Sequence, residues 1–263
     1  GDVYKRQHIS KANRQAVEYA ISKGIHVCIA SGRAFDTLPS EVVTIPGIEY
    51  AITSNGAAVY KIKDKKCLNS YVLKESSVAG IIKNTVGYPV TYEAFIRGKA
   101  YASKEYMADP VKFGATPKAI EYVRSTRTLQ EDIVSFIYEH KHELDSIDIV
   151  LDDDELKNRI IKELYEKDPD IYITSSVKQL IEISYKDAGK KSGVRFLADR
   201  LGIDRKNIAA FGDADNDCDM IEFAGAGVAM GNACDALKEA ADYITLSNDD
   251  DGLAYAIYNI LKI

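Results

Sequence analysis

NIAAFGDADNDCDM, residues 207–220, passes from a short apolar run through Gly212 into four aspartates, Asp213, Asp215, Asp217 and Asp219, within seven residues. The apolar half reads as a strand and the acidic half as the loop beyond its carboxyl end. Like charges set this closely raise one another's pKa and destabilise the fold unless a cation or hydrogen-bond donors take up the charge. An EF-hand is excluded: counted from Asp213, its sixth position is Cys218 instead of glycine and its twelfth is Ala224 instead of glutamate. A helix N-terminus over residues 216–223 accounts for Asp217 and Asp219, but Asp213 follows the strand directly and is left over. Hard carboxylate oxygens at such a place suit Mg²⁺, whose commonest companion is a phosphorylated substrate.

Working outward, the same scheme recurs three times. IHVCIA (25–30) ends in Ser31, Gly32 and Arg33; YAIT (50–53) ends in Ser54, Asn55 and Gly56; AGVAM (226–230) ends in Gly231 and Asn232. The first of these reads as a strand buried on both faces. It follows SKANRQAVEYAISKG, a helix with Ser10 as N-cap, Ala16, Val17, Ala20 and Ile21 on one stripe, and Gly24 as its stop. Alternating strand and helix patterns predict an α/β fold on a parallel sheet, whose ligand crevice lies beyond the carboxyl ends of the strands. Ser31, Asn55, Asp213 and Asn232 are therefore expected to meet. The plainer reading of each site alone is that polar residues and glycine follow strands because loops begin there.

From about Ser77 to Lys186 the pattern changes. PVTYEAF and KAYASKE flank Arg97, Gly98 and Lys99 as a hairpin, and SIDIVLDD, the helical DELKNRIIKELYEKD, DIYITSS and QLIEISY complete a compact α+β unit. The division is residues 1–80 and 187–263 for the core and 81–186 for an inserted domain. The acidic run Asp152, Asp153, Asp154 and Glu155 stands at a helix start, where capping and the helix dipole account for it without a metal. After the insertion, DAGKKSGVRFLADRLGI sets Lys190 and Lys191 ahead of a helix with Val194, Leu197 and Leu201 inward. A lysine there is usually solvated, but a phosphoryl site needs positive charge and donors. Ser31 on its SGR turn, where Gly32 permits close backbone approach, supplies a hydroxyl.

Composition narrows the partners. With 34 basic and 40 acidic residues and a net charge of −6, the chain has no electrostatic case for nucleic acid or an anionic membrane surface. No apolar run approaches the roughly 20 residues that cross a bilayer, and a cytoplasmic location is the expectation. Cys28, Cys67, Cys218 and Cys234 form no CxxC, which fits reduced structural thiols. Nothing in the sequence sets an oligomeric state.

Taken in order, IASGR, GKKSGVRFLADRLGI, GDADNDCDM and GVAMGNACDALKEAADYIT resemble the second to fourth motifs of the haloacid dehalogenase superfamily. SNGA (54–57), GNA (231–233) and SNDDDG (247–252) narrow the resemblance to its Cof-like branch, over roughly residues 8–263. The resemblance implies a Rossmann-like parallel-sheet core with an inserted α+β cap, and a Mg²⁺-dependent phosphatase that acts on small phosphorylated metabolites through an aspartyl phosphate. On this reading Ser31 binds the phosphoryl oxygens, Lys190 neutralises nucleophile and phosphate, and Asp213 and Asp217 hold the metal. Asn216 supports the phosphate or its loop, Gly32 and Gly56 let backbone approach, and Arg33 and Asn55 are candidate substrate contacts. A phosphomutase of the same architecture and a noncatalytic phosphometabolite binder are the alternatives.

The first family motif, DxDGT, carries the nucleophile and the general acid, and it is absent from the sequence. Aligned to the family, its aspartates fall at or just before residue 1, where GDVYKRQ has the look of adapter-derived sequence. Asp2 has no apolar strand behind it to serve as a nucleophile. The expectation is thus of a truncated chain, inactive as it stands. It would lack the central strand between the one ending at Ser31 and the one ending at Asp213, leaving unpaired backbone on both neighbours.

Overall fold

The computed structural model describes residues 9–263. Asp2 and the rest of GDVYKRQ lie outside the described residues. The first helix, Lys11–Ser22, starts where Ser10 accepts the Asn13 backbone N–H at 3.1 Å, and it buries Ala16, Val17 and Ala20. It leads into β1 (Val27–Ala30), β2 (Ile48–Thr53), β3 (Ala58–Lys61) and β4 (Lys66–Ser70), one sheet in that order. β1 and β2 are parallel, and β3 and β4 extend the sheet antiparallel.

The inserted cap has its own sheet of β5 (Thr91–Ile96), β6 (Lys99–Ser103), β7 (Arg127–Gln130), β8 (Ser146–Val150), β9 (Ile171–Thr174) and β10 (Leu180–Tyr185), in the order β7-β6-β5-β8-β10-β9. Arg97 and Gly98, with φ of 48° and 82°, make the two-residue turn of the β5–β6 hairpin. Positive φ at both turn positions matches the twist of the flanking strands. One sheet face offers Ala94, Ile147, Ile149, Ile181 and Ile183 to Ile81, Ile137, Leu156 and Ile160 of the covering helices. Asp153 accepts the Leu156 N–H at 2.9 Å, so the acidic run before the helix Asp154–Lys167 is a cap, as its position predicts.

The chain then returns to the core with β11 (Ala209–Gly212), β12 (Ala226–Ala229) and β13 (Tyr243–Ile244), all parallel. The helix Lys190–Leu201 joins the two core sheets: its Val194 and Leu197 share a cluster with Ile52 of β2 and Ala210 of β11. A Cβ on Gly193 of that helix would stand 2.5 Å from Ile52 Cγ2, so glycine sets how closely helix and strand approach.

One expectation fails. The run 25–30 was to be a strand buried on both faces, yet Cys28 is exposed and Val27, Ile29 and Ala30 are half-buried. Pairing explains the difference: among the described residues β1 pairs only with β2, and β11 only with β12. Among the described residues the other edge of each has no partner, and the family resemblance places the first strand beside those edges. Cys28 is touched by water, but loss of surrounding solvent still pushes its thiol up to about 11.

Candidate functional site

The strand ends converge through backbone and amide hydrogen bonds. Ser31 donates its N–H to Ile52 O at 2.9 Å, and Asn55 donates its own to Ser31 O at 3.1 Å. Asn55 O accepts the Gly189 N–H at 2.9 Å, which anchors the start of the lysine-bearing helix. The Asn55 side chain, buried and held at a φ of 52°, accepts from Asn216 Nδ2 at 3.0 Å and donates to Glu182 Oε1 of the cap at 3.0 Å. One residue thus ties together the SGR turn, the lysine helix, the aspartate loop and the cap. Gly56 beside it has φ of 88°, and a Cβ there would fall 1.9 Å from Gly189 O. Only glycine allows those two segments to touch.

Lys190 and Asp217 form the charged centre. Lys190 Nζ lies 2.5 Å from Asp217 Oδ1, with the two side chains 4% and 5% exposed. Asp217 Oδ2 accepts the N–H groups of Asp213 at 2.9 Å and Ala214 at 3.2 Å. Burial works against ionisation of Asp217, but the Lys190 charge and these donors more than offset it and hold the carboxyl below its ordinary range. A Cβ on Gly212 would stand 2.4 Å from Asp217 Cβ, so that glycine leaves room for the carboxylate to fold back under the strand end. Asp213, half-buried, accepts from Asn232 Nδ2 at 3.1 Å, and Asn232 Oδ1 accepts the Asn248 N–H at 2.8 Å. The other two aspartates are structural. Asp219 accepts the Lys191 N–H at the lysine helix start, and the exposed Asp215 accepts from Cys234 Sγ.

Ser31, Gly32, Asn55, Gly56, Lys190, Asp213, Asn216 and Asp217 are therefore joined in one network. Arg33 sits at its margin: its guanidinium donates to Thr37 O at 3.0 Å and lies 4.5 Å from the ring centre of Tyr122 in the cap. Tyr122 and Glu182 were missed in the sequence. Glu182 has a signal, an acidic residue inside the alternating strand QLIEISY, but no sequence rule says which domain its face meets. Among the described residues no three carboxylate, imidazole or thiolate groups gather around one point. Asp213 and Asp217 offer two carboxylates joined by a hydrogen-bonded turn, an oxygen-only set that fits part of a Mg²⁺ shell. A separate cleft of about 430 Å³, lined by Arg205, Lys206, Glu222 and Asp242, lies at the amino ends of β11 and β12 and shares no residue with this network. Among the described residues no helix is long and apolar enough to cross a membrane.

Residues 3–257 match the model of the haloacid dehalogenase-like hydrolases. A 5-amino-6-(5-phospho-D-ribitylamino)uracil phosphatase of Bacillus subtilis, YcsE, is 29% identical over 255 residues, covering 95% of this chain and 88% of its own. The putative phosphatase YkrA of the same organism is also 29% identical, with coverage of 98% and 93%. A solved haloacid dehalogenase-like hydrolase from B. subtilis superposes with a TM-score of 0.82 at 26% identity, covering 96% of this chain and 94% of that one.

Proposed function

We propose a function from one premise: the chain belongs to the haloacid dehalogenase-like hydrolase family. The function is hydrolysis of small phosphorylated metabolites, with Mg²⁺, through an aspartyl phosphate. The observation that carries it is the network joining Ser31, Asn55, Asp213 and Asp217, beyond the carboxyl ends of strands far apart in sequence, with Lys190 at a helix start. The phosphorylated ribitylamino compound named for one relative is an ester of this class.

Each residue's part follows from its bonds. Ser31 Oγ accepts the Arg33 N–H at 3.1 Å, so its own hydroxyl hydrogen is left to donate to a phosphoryl oxygen. Lys190 directs one proton to Asp217 and has two more for the phosphoryl group, where its fixed charge stabilises what develops in the transition state. Asn55 and Asn216 spend their amides on each other and on the cap, and so hold the loops in register. Asp213 and Asp217 would hold Mg²⁺, which when bound supplies charge neutralisation at the phosphoryl oxygens. Arg33 and Gly32 border the place where the ester enters.

On the family reading the nucleophile and general acid belong to a DxDGT strand beside β1 and β11, whose other edges have no partner among the described residues; the sequence Gly1–Ile263 contains no DxDGT. The expected outcome is no turnover from the chain as it stands, and Mg²⁺-dependent release of inorganic phosphate once an apolar strand ending in DxDGT is placed ahead of residue 8. That release should vanish on Asp213→Ala. Phosphate moved between sugar positions without release would establish a phosphomutase instead. Phosphate bound but never released from any ester by the restored chain would leave a binding protein.

A further inference from the structure

The turn Ser54–Gly56 is held in a conformation that its first two residues disfavour. Ser54 and Asn55 have φ of 46° and 52°, and Gly56 has 88°, so two residues with side chains stand in succession in the left-handed region. Such backbone persists only where its surroundings over-determine it. The core contributes three bonds: the Ser54 N–H donates to Arg33 O at 2.9 Å, the Asn55 N–H donates to Ser31 O at 3.1 Å, and Asn55 O accepts from Gly189 at 2.9 Å. The buried Ser54 hydroxyl has no hydrogen-bond partner among the described residues and adds nothing to this hold.

The buried side chain of Asn55 supplies two more bonds, one to each domain. Its Oδ1 accepts from Asn216 Nδ2 on the aspartate loop, and its Nδ2 donates to Glu182 Oε1 on β10 of the cap, both at 3.0 Å. Glu182 decides which way the amide points: its second oxygen accepts the Ser176 N–H, so the carboxylate faces a donor on either side. An added Cβ on Gly32 would stand 2.9 Å from Asn55 Oδ1 and 3.1 Å from Glu182 Oε1. The cap thus puts a roof over the SGR turn, and one hydrogen bond ties that roof to the floor of the crevice. Without Glu182, the Asn55 amide loses the acceptor that orients it, and a strained residue loses one of the bonds that fix it.

We propose that Asn55 is a positioning residue that makes phosphate affinity depend on the cap: Glu182 orients its amide, the amide holds Asn216, and its backbone holds Ser31 where a phosphoryl group binds. This rests on the phosphatase reading above and adds to it a link between cap and phosphate site. The phosphate touches neither Asn55 nor Glu182. Linkage of this kind is reciprocal, so bound phosphate favours the seated cap by the factor with which the seated cap favours phosphate.

Calorimetry on the full chain with Mg²⁺ tests the link, with inorganic phosphate as the probe and urea unfolding as the check that each variant is folded. Glu182→Ala should weaken phosphate binding about tenfold, within the span of ordinary couplings. Charge alone predicts the reverse, because removing a carboxylate above an anion site lowers repulsion. Glu182→Gln, equally uncharged but with an acceptor oxygen, should bind phosphate more tightly than Glu182→Ala. Asn55→Gly keeps the positive φ without strain and should weaken phosphate to a similar degree, and Glu182→Ala added to it should weaken phosphate no further. The unmutated chain gives a test that needs no variant: saturating phosphate should slow hydrogen exchange at the Ser176 amide, which lies in the cap. Phosphate bound by Glu182→Ala as tightly as by the unmutated chain, additive losses in the double variant, or unchanged exchange at Ser176 would each overturn the proposal and leave the phosphatase reading standing. Failure of the unmutated chain to bind phosphate would overturn that reading and this inference with it.

Discussion

The crevice floor and the cap roof both bury carboxylates, and they treat them in opposite ways. On the floor, Asp217 has an ammonium on one oxygen and two backbone N–H donors on the other, and its carboxyl is held below the ordinary range. In the cap sheet, Asp148 is as deeply buried, has Glu93 and Glu182 opposite it on the neighbouring strands and no hydrogen-bond donor among the described residues, and is held well above it. Burial is common to both, so the donors decide. On the floor, groups of the chain balance the carboxylate; in the cap sheet, neighbouring carboxylates oppose its ionisation.

The largest effect is expected from breaking the floor. Lys190→Met strands a buried carboxylate with only its two N–H donors, and removing one partner of a buried pair costs about 3–5 kcal/mol. Urea unfolding should show that loss, and calorimetry should show phosphate binding abolished. Replacing both partners, Lys190→Met with Asp217→Leu, should recover much of the stability and none of the binding. A single mutant as stable as the unmutated chain would mean that the pair does not balance Asp217.

Between the two extremes stands Asp145, at the junction of core and cap. It is 3% exposed and accepts from Ser70 Oγ at 3.4 Å and Gly98 N at 3.5 Å, beside Arg97, Tyr60 and Cys67. Burial pushes its carboxyl up to about 6, against which those donors and Arg97 are too weak. An acid raised in the folded state imposes no penalty below its unfolded value near 3.8, where both states hold the proton. The penalty grows as pH climbs from 3.8 to about 6 and is full above that, at about 2–3 kcal/mol. Asp145→Asn should therefore stabilise the protein at pH 7–8 and leave it unchanged at pH 3.5. A gain independent of pH would show that packing, and not ionisation, is responsible.

The contrast also marks what could be read from the sequence. Strand ends delivering Ser31, Asn55, Asp213 and Asn232 to one crevice are legible, because apolar runs, glycines and the carboxyl-end rule are local patterns with one topological consequence. The roof is not legible in the same way. Glu93, Asp148 and Glu182 each interrupt an apolar strand, but their alignment depends on the register of β5, β8 and β10, which hydrophobic pattern alone does not number. The hub role of Asn55 is hidden for a related reason: its four partners, Ser31, Glu182, Gly189 and Asn216, lie between 24 and 161 residues away. The exposure of β1 is a third case, since apolar content predicts burial only if both edges of the strand are paired.

The smallest effect should come from an aspartate that needs neither a cation nor a ligand. Asp153 lies in an acidic run denser than the one at 213–219, but its carboxylate has a donor built into the local chain, the Leu156 N–H at 2.9 Å, and water around the rest. Asp153→Ala removes one N-cap and should cost about 1 kcal/mol, with no change in phosphate affinity. Asp153→Asn keeps the acceptor and should cost less. If instead Asp153→Ala weakened phosphate binding as Lys190→Met does, acidity along the cap would act on the ligand at long range, and the distinction between floor and cap would no longer rest on which carboxylates have donors.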